Sequence, residues 1–188
     1  DFKDLHPSPF GQEIYFQTIK TLLKNVAGQY RNESLVKSIL PAVQNKGYYG
    51  SGRYVSVDKA TALKGFSVTP NWQPNDKAET RARFVHVPVL EANQPGASFS
   101  FTFTGNAAGI AIVAGPDAGM IKYSVDGKPD KVMDLYTQWS GGLHLPWYLV
   151  LADGLPKGKH ILKVQITAQK NKDSKGNACR IVYFLANE

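Results

Sequence analysis

Apolar residues recur at helical spacing near the start of the chain and at strand spacing in the remainder. A first helical pattern begins at Phe10 and ends near Gly28, with glutamine, glutamate and lysine between the apolar side chains. This spacing predicts an amphipathic helix with one buried face. Its apolar positions are Ile14, Ile19, Leu22, Leu23 and Val26. A second, shorter helix is predicted from the capping residue Asn32 to Pro41, because proline cannot continue a helix.

After Pro41 the chain changes to short runs of Val, Ile, Phe, Tyr and Thr, separated by Gly, Pro, Asn and Asp. So many strands without intervening helices predict antiparallel sheets instead of a parallel one. We therefore expect a mainly β fold, an antiparallel jelly-roll-like β-sandwich preceded by one or two N-terminal helices. The predicted strands are residues 52–57, 65–69, 82–90, 98–104, 109–113, 120–125, 131–135, 147–151, 160–168 and 179–185.

Two local patterns support the sandwich. Phe99, Phe101 and Phe103 alternate with hydroxyl residues, which places their rings on one face of a strand. Asp126 and Gly127 follow an alternating strand, and this dipeptide is typical of a tight hairpin turn.

Composition and charge limit the classes of function. The chain has 188 residues, enough for one well-cored domain, or for one domain plus a fragment of another. Its net charge of +7 would suit a nucleic-acid partner, but the basic residues are spread along the chain without a stacking motif, so we expect no nucleic acid. The single cysteine, Cys179, lies in an apolar run, which predicts a buried thiol. No apolar run approaches the ~20 residues of a membrane span, so no membrane is expected as a partner.

The most specific chemical signal is the opening segment DLHPSPFGQEIYFQTIKTLL, which begins at Asp4. From spacing alone, a surface or capping histidine is the simpler interpretation of His6. The whole block, however, resembles the final motif block of the SGNH, or GDSL-type, hydrolases. This resemblance implies that His6 is the general base for a serine nucleophile and that Asp4 orients the imidazole ring.

The chain departs from the family pattern at two points. The usual spacing is D-x-x-H, yet the residue three before His6 is Lys3, so either Asp4 orients the ring or the dyad is a variant one. The Gly-Asp-Ser block of the nucleophile and the blocks that supply oxyanion donors are absent from these residues. Ser51 lacks the aspartate neighbour and is interpreted as a loop serine. We therefore expect the chain to be inactive alone and to need an upstream SGNH catalytic half.

Most of residues 44–188 resembles, less specifically, the β-sandwich domain that follows the catalytic domain in a subset of these bacterial hydrolases. The segments that carry this resemblance are VTPNWQP, VAGPDAGMIKYSVDG and QWSGGLHLPWYLVLADGLPKGKH. The two resemblances imply an SGNH remnant at 1–28, a connecting helix or linker at 29–43 and an accessory sandwich at 44–188. They also imply a bacterial protein that is periplasmic or secreted.

Four aromatic residues, Trp72, Trp139, His144 and Trp147, stand beside Gly and Pro in predicted loops. Exposed aromatic rings stack on sugars, which makes these residues candidates for substrate binding. The alternative is that they pack a loop or a neighbouring domain. Asp117 belongs to a predicted tight turn and is a candidate to reach a neighbouring active site.

The sequence thus predicts the C-terminal fragment of an SGNH/GDSL acylhydrolase, a serine ester hydrolase that acts on an O-acylated carbohydrate. The alternative is a carbohydrate-binding or purely structural β-sandwich module. No cofactor is predicted. No metal is expected either, because the histidines lack the paired spacing of zinc ligands.

Overall fold

A computed structural model of the chain describes residues 6–29 and 48–188, and a boundary between Gln44 and Asn45 separates two units. Asp4 and the predicted second helix, from Asn32 to Pro41, lie outside the described residues.

The first unit contains helix α1 (Pro9–Gln29), close to the predicted bounds. The Ser8 side-chain oxygen accepts a hydrogen bond from the Gly11 N–H at 3.2 Å, which caps the first turn. Only Gly11 is buried in this helix, so the predicted burial of one face is not met within the described residues. The exposed apolar side chains are Phe10, Ile14, Tyr15, Phe16, Ile19, Leu22, Leu23 and Val26.

The second unit is a β-sandwich, as predicted, with short alternating runs folding into two sheets. Its strands are β1 (Gly52–Ser56), β2 (Ala60–Lys64), β3 (Ser67–Trp72), β4 (Glu79–Thr80), β5 (Val87–Ala92), β6 (Ser98–Gly105), β7 (Ala107–Ala114), β8 (Met120–Val125), β9 (Lys131–Asp134), β10 (Leu143–Ala152), β11 (Gly158–Ile166) and β12 (Cys179–Asn187). The larger sheet has seven strands in the order β3-β5-β12-β7-β10-β4, with β1 also paired to β12, and the smaller has five in the order β2-β6-β11-β8-β9. The pairs are antiparallel except the two-residue pair of β4 and β10.

The main core lies between the two sheets and is rich in aromatic rings. Phe99, Phe101 and Phe103 all point into it from β6, as their alternation predicts. The Phe101 ring stacks on Phe184 of the opposite sheet, with 4.1 Å between centroids and 11° between planes. Cys179 is also fully buried, and burial raises the pKa of its thiol to about 12.

A second apolar cluster covers the outer face of the larger sheet. All eight residues of β7 are buried, so this strand needs cover on both faces. Residues 73–86, here called the cover segment, supply Phe84 and Val85 to a cluster with Val89 and Val113. The Trp72 carbonyl accepts the His86 N–H at 2.7 Å and closes this segment.

Each predicted strand has an observed counterpart, with two differences of note. The predicted strand 82–90 begins only at Val87, because Arg83 and His86 have positive φ and belong to the cover segment. The short strands β2 and β4 were not predicted. Within the described residues, no helix is long and apolar enough to span a membrane.

The predicted Asp-Gly turn leaves β8 with both residues at positive φ, 54° for Asp126 and 72° for Gly127. Asp126 accepts the Ile161 N–H at 2.9 Å and lies 2.6 Å from Nδ1 of His160, whose Nε2 donates to the Pro156 carbonyl. The hydrogen bond to His160 lowers the pKa of Asp126, and the same bond, with that to Pro156, raises the pKa of His160. An ion pair therefore ties the β8 turn to β11.

This ion pair should make stability depend on pH. Its contribution is complete between roughly pH 4 and 6.5, the ordinary pKa values of the two groups. It is lost as the pH rises through the raised pKa of His160, or falls through the lowered pKa of Asp126. Asp126→Asn should lower the free energy of unfolding by about 1 kcal/mol at pH 5.5, and by less at pH 9. Urea denaturation measures both, with Asp130→Asn on the same hairpin as control. An equal loss at both pH values would contradict the charged pair.

Candidate functional site

A polar cleft of about 550 Å³ opens on the outer face of the larger sheet. Leu90 and Ile181 point into the core, so Glu91 and Arg180, one position away, point outward into this cleft. The lining is rich in amide, hydroxyl and charged groups. It includes Ser67, Thr69, Asn71, Trp72, Gln73, Asn75, Glu91, Asn93, Asp117 and Arg180.

Arg180 organises the charges of the cleft. Its two terminal nitrogens donate to the two carboxylate oxygens of Asp117 at 2.7 and 2.6 Å, and its Nε lies 3.5 Å from Glu91. Burial raises the pKa of Asp117, but the hydrogen bonds and charge of Arg180 outweigh it and hold that pKa below its ordinary value. Glu91 in turn accepts a hydrogen bond from the Thr69 hydroxyl at 2.6 Å. The cleft therefore presents two carboxylates, Asp117 and Glu91, whose orientation is fixed by Arg180 and Thr69.

Trp72 forms the apolar floor beneath these charges. The guanidinium of Arg180 lies 5.4 Å from the centroid of the Trp72 ring, a cation–π contact. His144 meets the same indole edge-on, with 5.6 Å between centroids. Trp72 and His144 are both buried, so they support the cleft without offering an open stacking surface.

His144 also anchors the cover segment. Its Nε2 donates to Asp76, 3.0 and 3.1 Å from the two carboxylate oxygens. Burial raises the pKa of Asp76, but the hydrogen bonds from His144 and from the Ala78 N–H lower it below its ordinary value. A Cβ at Gly115 would lie 2.3 Å from Nδ1 of this imidazole, so glycine makes the room that His144 occupies. The arrangement is that of an architectural histidine.

The structure brings three of the predicted binding residues, Trp72, His144 and Asp117, into one cluster. The predicted loop positions are wrong for Trp72, which ends β3, and for His144, which lies in β10. Trp147 also lies in β10, in agreement with the predicted strand 147–151. Pairing with β7 explains the error for β10, since it extends the strand through Pro146. Asp117 does occupy a tight turn, closed by the Ala118 N–H to the Gly115 carbonyl at 3.0 Å.

The other predicted residues lie outside this cluster. Trp139 is in a turn before β10 with 57% of its surface exposed, and Trp147 is 38% exposed. His6 is exposed two residues before the capping residue Ser8 of α1. Among the described residues there is no group of three His, Cys, Asp or Glu side chains that could hold a metal ion.

No protein-family model matches the chain, and no curated protein sequence does. Solved structures do match its fold. A two-domain esterase (CEX) active on acetylated mannans aligns with a TM-score of 0.71 and 17% identity, over 98% of this chain and 48% of that one. The structure of such an esterase co-crystallised with mannopentaose aligns with a TM-score of 0.68 and 18% identity, over 100% of this chain and 48% of that one. The chain thus spans about half the length of this esterase and shares its fold.

Arg180, Glu91 and Asp76 are the residues of the cluster that sequence reasoning missed. Arg180 follows Cys179 in a predicted strand, and its outward position was available from alternation, but its partner Asp117 is 63 residues away. Asp76 pairs with His144 across 68 residues. Only the fold brings these partners together.

Asp117→Ala should lower the free energy of unfolding by about 2 kcal/mol, because it leaves a largely buried guanidinium with Glu91 alone. Adding Arg180→Met should restore part of that loss, since the unpaired charge is removed as well. Chemical denaturation measures both, and Asp58→Ala, an exposed aspartate beside Lys59, is the control. Equal effects of Asp117→Ala and Asp58→Ala would show that the cleft does not depend on this pair.

Proposed function

We propose that the chain is the C-terminal part of an SGNH-type serine ester hydrolase that removes acyl groups from a carbohydrate. The observation that carries this proposal is the block of residues 4–23, with His6 placed directly ahead of α1. Support comes from the fold shared with a two-domain esterase described as active on acetylated mannans. An acetylated polysaccharide is therefore the proposed substrate class.

In this proposal His6 acts on a serine that an upstream catalytic half supplies. The imidazole takes the serine hydroxyl proton as the oxygen attacks the ester carbonyl, and gives it to the departing sugar oxygen, which leaves as a hydroxyl. Water then attacks the acyl-serine as His6 takes its proton, and His6 returns that proton to the serine oxygen as the carboxylic acid is released. Asp4 orients the ring and stabilises the imidazolium. Exposure of His6 supports this role, because a general base must meet a group from outside its own helix.

The exposed apolar side chains of α1 support the need for an upstream half. Phe10, Ile19, Leu22 and Leu23 are all more than half exposed within the described residues. An apolar stripe of this length is ordinarily covered by another element. In the SGNH family the equivalent helix packs on a parallel sheet, and we propose the same cover here.

The domain boundaries follow from this proposal. Residues 1–28 complete the catalytic domain, 29–43 connect the two parts, and 44–188 form the accessory sandwich. By analogy with the family, the whole enzyme is a bacterial protein that is periplasmic or secreted.

The proposal is tested by replacing the matching half of the two-domain esterase with this chain and measuring acetate release from acetylated mannan. The chimera should be active, and His6→Ala should lower kcat by about a thousandfold or more, because the serine loses its base. Asp4→Asn should have a smaller effect in the same direction. His86→Ala, an exposed histidine of the sandwich, is the control. Full activity of the His6→Ala chimera would contradict the role of His6 as the general base.

A second function, carbohydrate binding by the sandwich itself, is supported by the polar cleft and the exposed tryptophans. The amides, hydroxyls and carboxylates of the cleft are the donors and acceptors that sugar hydroxyls require. Asp117 is the predicted residue that faces this space, and Trp72 and His144 hold it in shape. Trp139 and Trp147 offer open ring surface for stacking.

Trp139→Ala and Trp147→Ala should each weaken binding of the chain to mannan several-fold. The thermal unfolding midpoint of Trp139→Ala should be unchanged, because the Trp139 ring is exposed. Affinity electrophoresis over a panel of neutral polysaccharides measures the binding. Trp139→Phe, which keeps an aromatic face, is the matched variant. Absence of binding across the panel would count against a binding module.

A further inference from the structure

A second cavity, of about 370 Å³, lies on the outer face of the larger sheet and shares no lining residue with the polar cleft. It is here called the tyrosine groove. Its walls include Tyr49, Tyr54, Tyr148, Val150 and Leu185, and its floor is the start of β7.

Strand register explains why this face is a groove. Tyr54 of β1 pairs with Leu185 of β12, which pairs with Gly109 of β7, which pairs with Val150 of β10. This row of paired residues therefore begins with the Tyr54 side chain and ends with the Val150 side chain, but has no side chain at Gly109. A Cβ at Gly109 would lie 2.2 Å from the Leu149 carbonyl oxygen, so no side chain fits there.

The next row repeats the arrangement. Tyr183 of β12 and Tyr148 of β10 both pair with Ala111 of β7. The outer face of β7 thus carries small residues in these rows, and the neighbouring strands β12 and β10 carry larger side chains. Although β12 and β7 lie between the strands that carry them, the Tyr54 and Tyr148 rings are only 6.5 Å apart, so they meet across the groove above these small residues.

The aromatic walls are open and held in place. Tyr54 is 60% exposed, and its ring lies 4.9 Å from that of Tyr183 and 6.5 Å from that of Tyr148. Phe84 of the cover segment packs edge-on against both Tyr148 and Tyr183. A hydrogen bond with Tyr54 raises the pKa of Tyr148 above its ordinary value. These contacts fix the rings before any ligand arrives.

The charge of the groove matches a neutral ligand. Arg53 is the charged residue of the lining, and it is paired with Glu188. The remaining polar groups are phenol hydroxyls and the Asn187 amide, which is held by Asn106 at 2.7 Å. The lining itself offers an anionic polymer no unpaired cation, and the nearby charge that acts on Tyr148 is Arg83 of the cover segment. A sugar presents a C–H face to the rings and neutral hydroxyls to the rim.

We infer that the tyrosine groove binds a neutral oligosaccharide, with Tyr54 and Tyr148 as the stacking residues. This inference extends the proposed carbohydrate function to a site independent of His6, of the polar cleft and of Trp139. It requires no upstream half, so ester hydrolysis and groove binding can fail separately.

The test uses the full chain and calorimetric titration with mannopentaose and cellohexaose, and polygalacturonate as the anionic probe. At least one neutral oligosaccharide should bind and polygalacturonate should not. Tyr54→Ala should weaken binding about tenfold, and Tyr54→Phe should retain most of it because the ring remains.

Val150→Lys tests the groove without removing a ring. Val150 is 51% exposed, and a lysine there places a charge on the groove wall. Its control is Val132→Lys in β9 of the other sheet, at a valine that is 53% exposed. We expect Val150→Lys to bind the oligosaccharide about tenfold more weakly than the unmodified chain, and Val132→Lys to bind it with unchanged affinity. Failure of every neutral oligosaccharide to bind, or equal binding by Val150→Lys and Val132→Lys, would overturn the inference. So would binding that is lost in Trp139→Ala but kept in Tyr54→Ala.

Discussion

The burial of β7 on both faces is the constraint on which the rest of the sandwich depends. A strand with no exposed residue must be covered twice, and the smaller sheet covers only the inner face, through rings such as Phe101. The outer face needs separate cover, and the segment 73–86 provides it with Phe84 and Val85. That segment is anchored by Asp76 to His144 and by its own backbone to β10. Loss of this cover would expose apolar sheet to water.

The cover segment occupies only part of the outer face and leaves two open sites there. Its first residues help to line the polar cleft, where Arg180 and Asp117 lie above the Trp72 ring. Elsewhere on the same face, the small residues at the start of β7 leave the tyrosine groove beside Tyr54. The same sheet thus offers a hydrogen-bonding surface and an aromatic one. In the proposed enzyme both would hold a polysaccharide while His6 acts in a different unit.

Much of the fold was predictable because it depends on local pattern. Alternation placed Phe99, Phe101 and Phe103 in the core, and the Asp126-Gly127 pair marked its turn. The cover segment was not predictable, because its positive φ angles at Arg83 and His86 interrupt a run that looks like one strand. Trp72, His144 and Asp117 were singled out from sequence. Their salt-bridge and hydrogen-bond partners were not, because these pairs join residues more than 60 positions apart.

The central claim is that this chain completes a larger carbohydrate esterase. The intact mass of the native protein in extracts of its source cells, detected with an antibody against this chain, tests it most directly. The account predicts a species that exceeds 20.7 kDa by a whole domain. A native species of 20.7 kDa would contradict it and would make the sandwich a module that acts without an upstream catalytic half.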